Sequence, residues 1–294
     1  MRDYYIALDV GGSSIKSAIV DELGNRVTTI NINKALAKEE REVILENLFN
    51  IVSFHLMEGE SLGFNINGVG IAFPGPFNYE EGISLIKGID KYESIYEVNL
   101  KKALENKFDG LSFKFKNDAH LYALGECNFR TGQNFNKSLC ICLGTGVGSA
   151  FVYNKDLLEE GENIPEYGWI YNIPFKESIA DDYLSTRGLI NIAQGLGLKV
   201  VNGEEIYKLA INKDPLALEV FKRFGEDLKE LMEFYLNKCD LDSIIIGGNI
   251  SKSYEFFKEP LEKLCMEKSI SIRLSSDSTE STLIAVPKLF KNKV

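Results

Sequence analysis

Two segments of this 294-residue chain place glycines and a hydroxyl between short apolar runs. One is Asp9-Val10-Gly11-Gly12-Ser13-Ser14-Ile15-Lys16 and the other is Leu143-Gly144-Thr145-Gly146-Val147-Gly148. A turn of this kind presents backbone N–H groups with no side chain in the way, which suits a phosphate. One glycine turn between strands is usually only a turn. Two of them, at equivalent places in two domains, are explained simply by a nucleotide held between the domains with its phosphates against both turns. Asp9 lies beside the first turn, where a carboxylate can hold Mg²⁺ or its waters, and Lys16 lies on the other side. A third segment, Asn117-Asp118, closes an apolar strand and opens a helix. Both residues are natural helix caps. A strand-to-helix junction in an α/β sheet also faces the ligand crevice, so capping and chemistry are compatible. The chemistry that suits Asp118 is acceptance of a proton from a substrate hydroxyl as that hydroxyl attacks a γ-phosphoryl group. Asn117 would then hold neighbouring hydroxyls.

These residues need strands and helices to position them, and the hydrophobic pattern supplies both. Residues 4–10 read as a buried strand, residues 15–20 as its partner, and Val27 to Ile32 as a third strand. Apolar residues at Val43, Ile44, Leu48, Ile51 and Val52 repeat at helical spacing within Lys38 to His55, with His55 as a boundary residue. A strand at Val69 to Phe73 ends at Pro74-Gly75-Pro76. A helix near Leu100 to Phe108 leads to a strand at Ser112 to Phe115 and a helix from Ala119 to Phe129. Then strand, glycine turn and strand recur, at Leu139 to Leu143 and Val147 to Tyr153. Helices are expected near Ser185 to Gly195 and Pro215 to Cys239, and a late strand, Ser243 to Ile246, ends at Gly247-Gly248-Asn249. A final helix over Ser281 to Lys291 is expected to cross back onto the first domain. A pattern duplicated at this scale implies two related α/β domains, not a short-period repeat.

Composition limits the classes of function. Hydrophobic residues make up 45% and charged residues 26%, the balance of a soluble globular protein. The formal charge of −10 disfavours partners with phosphate backbones or anionic lipid surfaces, so neither nucleic acid nor membrane is expected. No apolar run approaches a membrane span, and the first residues lack a signal-peptide layout. The five cysteines show no metal-type pairing, and Cys140 and Cys142 read as small core residues of a protein from a reducing compartment, the cytoplasm.

Taken in order, these motifs resemble the ROK family of sugar kinases and repressors. The first glycine segment, Pro74-Gly75-Pro76, Asn117-Asp118-Ala119 with Gly125-Glu126, and the second glycine segment carry the resemblance, and Ile246-Gly247-Gly248-Asn249-Ile250-Ser251 looks like the family's adenosine-side segment. It runs from about residue 4 to about residue 290. The resemblance implies an α/β fold of two ribonuclease-H-like, actin-like ATPase domains with an ATP and sugar cleft between them. The expected division is residues 1–117 plus 281–294 for the first domain and 118–280 for the second. It implies that Asp118 is the catalytic base. The sugar would be held by Gly75, Gly88, Asn117, Asp118, Glu166 and Asp181. ATP would be held by Asp9, Gly11, Gly12, Ser13, Lys16, Gly144, Thr145, Gly146, Gly247, Gly248 and Asn249, with Asp9 on Mg²⁺.

The chain departs from the family most in one region. Pro165-Glu166-Tyr167-Gly168-Trp169 matches a segment in which relatives end with a histidine that binds zinc and sugar; here that residue is Trp169. The zinc loop that usually follows, rich in cysteine, is replaced by residues 172–181, with Asp181 where a sugar-binding Glu would stand. Zinc requires thiolate or imidazole ligands, so no zinc site is expected. Ser13 replaces the usual Thr, and Glu280-Ser281-Thr282 replaces a small Ala-Gly pair. The resemblance is to zinc-less kinases similar to N-acetylmannosamine kinase, glucokinase or β-glucoside kinase. The implied activity is ATP-dependent phosphorylation of the 6-hydroxyl of a hexose or N-acetylhexosamine, N-acetylmannosamine or glucose first, by a homodimer. Alternatives are a β-glucoside kinase and a non-catalytic sugar sensor or regulator. A repressor would need a helix-turn-helix domain ahead of Tyr4, and none is expected. His120 follows Asp118 by two positions, on a different helix face, and is not expected to form a dyad with it.

Overall fold

The apolar runs around the first glycine turn pair with each other. β1 (Tyr4–Val10) and β2 (Ser14–Asp21) are antiparallel, with Asp9 opposite Lys16. The structure, a computed structural model, describes residues 2–291. β3 (Asn31–Lys34) pairs with β2 over Ser14–Ser17. It begins four residues later than Val27, because Val27 and Thr28 are already bonded to Ile19 and continue the turn after β2. The helix α1 (Arg41–Ser61) lays Ile44, Leu48, Ile51 and Val52 on the sheet. It also buries His55 completely, which corrects the expectation of a boundary residue: Nε2 lies 2.8 Å from Ser17 Oγ and Nδ1 2.9 Å from Glu58. β4 (Ile66–Phe73) lies parallel to β1. A small hairpin of β5 (Phe77–Asn78) and β6 (Ile83–Ser84) and the helix α2 (Leu100–Lys107) follow. β7 (Phe113–Asn117) then pairs parallel to β4 and runs straight into α3 (Asp118–Phe129). The sheet order is β3-β2-β1-β4-β7.

The order repeats. β8 (Lys137–Leu143) and β9 (Val147–Tyr153) form the second antiparallel hairpin, edged by β10 (Asp156–Leu158). A two-residue hairpin, β11 (Pro174–Phe175) with β12 (Ser178–Ile179), leads into α4 (Ala180–Leu184), α5 (Thr186–Gly195) and α6 (Gly203–Ile211). The helix α7 (Pro215–Lys238) starts where the Asp214 side chain accepts from Leu216 N and Ala217 N and Pro215 supplies a pre-set φ. Its buried stripe of Val220, Phe221, Phe224, Leu228, Leu231 and Tyr235 packs into the second core. Each such side chain contributes about 1.5–3 kcal/mol by leaving water. β13 (Ser243–Gly247) pairs parallel to β8, and α8 (Lys258–Glu267) and β14 (Ser271–Leu274) complete the order β10-β9-β8-β13-β14. Two sheets of the same order, each with a glycine turn between its antiparallel pair, give the duplicated actin-like ATPase fold.

The chain divides into two compact units, Met1–Gly125 with Thr279–Val294, and Glu126–Ser278. The division falls within α3, so Asp118 belongs to the first unit; the expected boundary stood just before Asp118, and residues 292–294 of the expected first domain lie outside the described residues. α9 (Ser278–Ile284) ends before Pro287, which cannot continue a helix, so the expected helix to Lys291 becomes α9 and a short 3-10 turn. Val286 and Phe290 press on β4 at Gly70 and Gly68, where an added Cβ would lie within 2.5 Å of each side chain. No helix among the described residues is long and apolar enough to cross a membrane.

Candidate active site

In the first unit the Gly11 N–H donates to the Ser14 carbonyl at 3.0 Å, closing the turn and leaving Gly12 and Ser13 exposed at its tip. Lys16, opposite Asp9 in the register, donates to Thr279 Oγ1 at 2.8 Å and stands 3.9 Å from Asp9 Oδ2. The Tyr92 hydroxyl donates to the Gly11 carbonyl at 2.8 Å, and Lys91 lies against Gly12. Lys91 and Tyr92 therefore rest on the turn.

Asn117 ends β7 and caps α3: its Oδ1 accepts from Ala119 N at 3.0 Å and from His120 N at 3.3 Å. Its Nδ2 donates to the Tyr79 hydroxyl at 3.2 Å, which donates to the Phe73 carbonyl at 3.1 Å. The same hydroxyl approaches Gly75, which precedes a cis peptide bond to Pro76. Gly75, Tyr79, Asn117 and Asp118 are thus brought together at the ends of β4 and β7. Asp118 Oδ1 accepts from Ala119 N at 2.9 Å. The carboxyl is open to solvent on one side, yet protein surrounds the rest of it. That desolvation raises its pKa above the ordinary aspartate value, while the Ala119 N–H and the Lys91 charge pull it down. A base held with a raised pKa and an open face can take a proton from a bound hydroxyl. His120 is buried at 1% exposure inside α3. Gly88, with φ 77°, has open space around it on the loop before Lys91.

In the second unit the Gly144 N–H donates to the Gly146 carbonyl at 3.0 Å, and Thr145 and Gly146 are exposed. The Gly144 carbonyl accepts from both Thr186 N and Thr186 Oγ1 at 2.9 Å. Val147 N donates to Asp181 Oδ1 at 2.7 Å, and Arg187 donates to Asp181 Oδ2 at 2.7 Å. Gly248, with φ 85°, packs on the Leu143 backbone so closely that a Cβ would lie 2.3 Å from its carbonyl oxygen. Gly247, Gly248 and exposed Asn249 therefore stand beside the second turn. Glu166 is exposed in the turn Glu166–Gly168, where its carbonyl accepts from Trp169 N.

The segment in place of the zinc loop is folded by its own side chains. Phe175 is buried, and Lys176, at φ 52°, pairs with Asp227 of α7 and lies 5.4 Å from the ring centres of Phe175 and Tyr183. Trp169 packs between Tyr167 and Tyr171, at 4.7 and 6.2 Å. Among the described residues no group of three or more His, Cys, Asp or Glu side chains is placed to hold a metal.

Do these residues fit Mg²⁺ and a nucleotide? Asp9 offers a hard oxygen donor that is still partly accessible, with a hydroxyl turn beside it, which suits a cation that keeps most of its waters. The two exposed glycine turns offer free amides of the kind phosphates take. Both groups fit. Sequence reasoning missed Tyr79, Lys91, Tyr92 and Thr186, each of which reaches a turn from elsewhere in the chain. Only the nearness of Lys91 to Gly88 could have marked it.

Comparison with known proteins gives the same direction. The chain is 25% identical over 288 residues to glucokinase of Streptomyces coelicolor, covering 88% of this chain and 86% of that one. It is 25% identical over 263 residues to β-glucoside kinase of Listeria innocua, covering 86% and 85%. Its fold matches the crystal structure of a ROK family glucokinase from Streptomyces griseus in complex with glucose and AMPPNP, with a TM-score of 0.70 and 22% identity, over 97% of this chain and 98% of that one. The ROK family model matches residues 5–282, from β1 into α9, and on that match the chain belongs to the ROK family.

Proposed function

We propose that this protein is an ATP-dependent sugar kinase that phosphorylates the 6-hydroxyl of a hexose or N-acetylhexosamine, with glucose and N-acetylmannosamine as the first candidates. The observation that carries the proposal is Asp118: an accessible carboxyl with a raised pKa, at the end of β7, beside a capping asparagine and a tyrosine-lined glycine turn. Similarity to a glucokinase and a β-glucoside kinase supports a sugar as acceptor.

In the proposed mechanism Gly75, Gly88, Asn117, Glu166 and Asp181 contribute to holding the sugar. Asp118 accepts the proton of the attacking hydroxyl. The hydroxyl oxygen forms a bond to the γ-phosphorus as the bond from that phosphorus to the bridging oxygen of ADP breaks, and the electron pair leaves with ADP. Gly11 and Gly144 close the two turns, amides of Gly12 and Ser13 and of Thr145 and Gly146 serve the phosphates, and Gly247, Gly248 and Asn249 the adenosine. Asp9 would hold Mg²⁺, which when bound supplies charge neutralisation on the phosphates. We place the protein in the cytoplasm, where the thiols of its five cysteines would stay reduced. The test is an ADP-release screen with Mg²⁺ and ATP against glucose, N-acetylmannosamine, N-acetylglucosamine, fructose and a β-glucoside. Turnover with one of the first three is expected. Turnover confined to the β-glucoside would redirect the substrate, and none with any sugar would sink the proposal.

A further inference from the structure

Lys91 reaches the first glycine turn from a distant part of the chain. A Cβ built on Gly12 would lie 3.2 Å from Lys91 Cδ and 3.9 Å from Nζ, so the ammonium stands over the exposed tip. The segment is held there independently of the lysine. Tyr92, the next residue and 1% exposed, donates its hydroxyl to the Gly11 carbonyl at 2.8 Å and its N–H to the Ala37 carbonyl. The charge of the same Lys91 ammonium acts on the Asp118 carboxyl, favouring its ionised form. Lys16, the other lysine at the turn, is already engaged by Thr279 and Asp9. A phosphoryl group leaving the turn for a hydroxyl activated by Asp118 would start beneath the Lys91 ammonium and move within its field.

We propose that Lys91 is a catalytic residue of phosphoryl transfer, its ammonium donating to the non-bridging oxygens of the γ-phosphoryl group as it moves. This rests on the kinase function proposed above. Lys91 neither gains nor loses a proton: the acceptor proton goes to Asp118, the new oxygen–phosphorus bond forms, and ADP departs with the electrons of the broken bond. A fixed cation is most valuable where charge spreads over the equatorial oxygens in the transition state, so its removal is felt in kcat.

The experiment compares the full-length wild type with Lys91→Met and Lys91→Arg, using Mg²⁺ and ATP, each sugar of the panel above, and a pH profile of kcat/KM. Lys91→Met is expected to lower kcat by about 10²–10³, the usual cost of one transition-state donor, with sugar KM within about threefold. Its acid limb is expected to move to higher pH, because Asp118 loses a charge that favours its ionised form. Lys91→Arg is expected to keep the limb in place and recover part of the rate. A merely solvated lysine would move neither kcat nor the limb, and that result with an active wild type overturns the assignment of Lys91 alone. A loss confined to sugar KM, with the limb unmoved, makes Lys91 a sugar contact and overturns it equally. A wild type inert towards every sugar overturns the kinase function and this inference with it.

Discussion

Asp181 and Val147 are joined by a 2.7 Å hydrogen bond from the Val147 amide to Oδ1, and the other carboxylate oxygen receives Arg187. The bond ties α4 to the strand that leaves the second glycine turn. The sequence resemblance gives Asp181 to the sugar; the geometry also gives it the turn. Replacing Asp181 with Ala leaves the buried Val147 N–H without a partner, at a cost of about 1–3 kcal/mol. Thermal melts should show that loss, and two-substrate kinetics should show KM for ATP rising at least as much as KM for sugar. A rise in sugar KM alone, with an unchanged melt, would leave only the sugar role.

His55 makes stability depend on pH. Burial lowers its pKa below the ordinary histidine value, and Glu58 opposes that shift without reversing it. The unfolded chain therefore binds this proton first as pH falls below about 6.5, so stability is full above that pH and declines beneath it. Urea titrations at pH 7.5 and 5.5 should show a lower midpoint at the acid pH. His55→Gln should flatten the difference, and an undiminished difference in the variant would assign it to other groups.

Gly125 is required by a close approach. A Cβ there would lie 1.9 Å from the Ser281 carbonyl oxygen, and backbone cannot swing aside as a side-chain tip can. Gly125→Ala should destabilise by about 1–3 kcal/mol or more despite the better helix propensity of alanine. A melt equal to wild type would mean that α9 shifts freely.

Much of this was legible because local signals coincided. Gly11-Gly12 and Gly144-Thr145-Gly146 are each bracketed by apolar runs, so both hairpins could be placed, and Asn117 before an apolar helix marked the position of Asp118. What stayed hidden depends on distant contacts. Lys91 sits among Gly88, Asp90 and Glu93 and reads as a solvated charge until the fold lays it on Gly12. His55 lies near the end of a regular apolar pattern, and its burial depends on Ser17 from another strand. Gly125 does not interrupt α3, so nothing local shows where the chain passes from one unit to the other. The order of the segment 172–181 likewise depends on Asp227, contributed by α7.

The most direct test is turnover by Asp118→Asn. Asn keeps the size of the side chain and an Oδ1 to accept the Ala119 N–H, but it cannot take a proton. Protein around the carboxyl raises the pKa of Asp118, so its ionised form adds no stability at neutral pH, and the variant should melt close to the wild-type temperature. With fold and sugar binding retained, kcat should fall by about 10²–10⁴, the range for loss of a general base. Wild-type turnover in the purified variant would contradict the account.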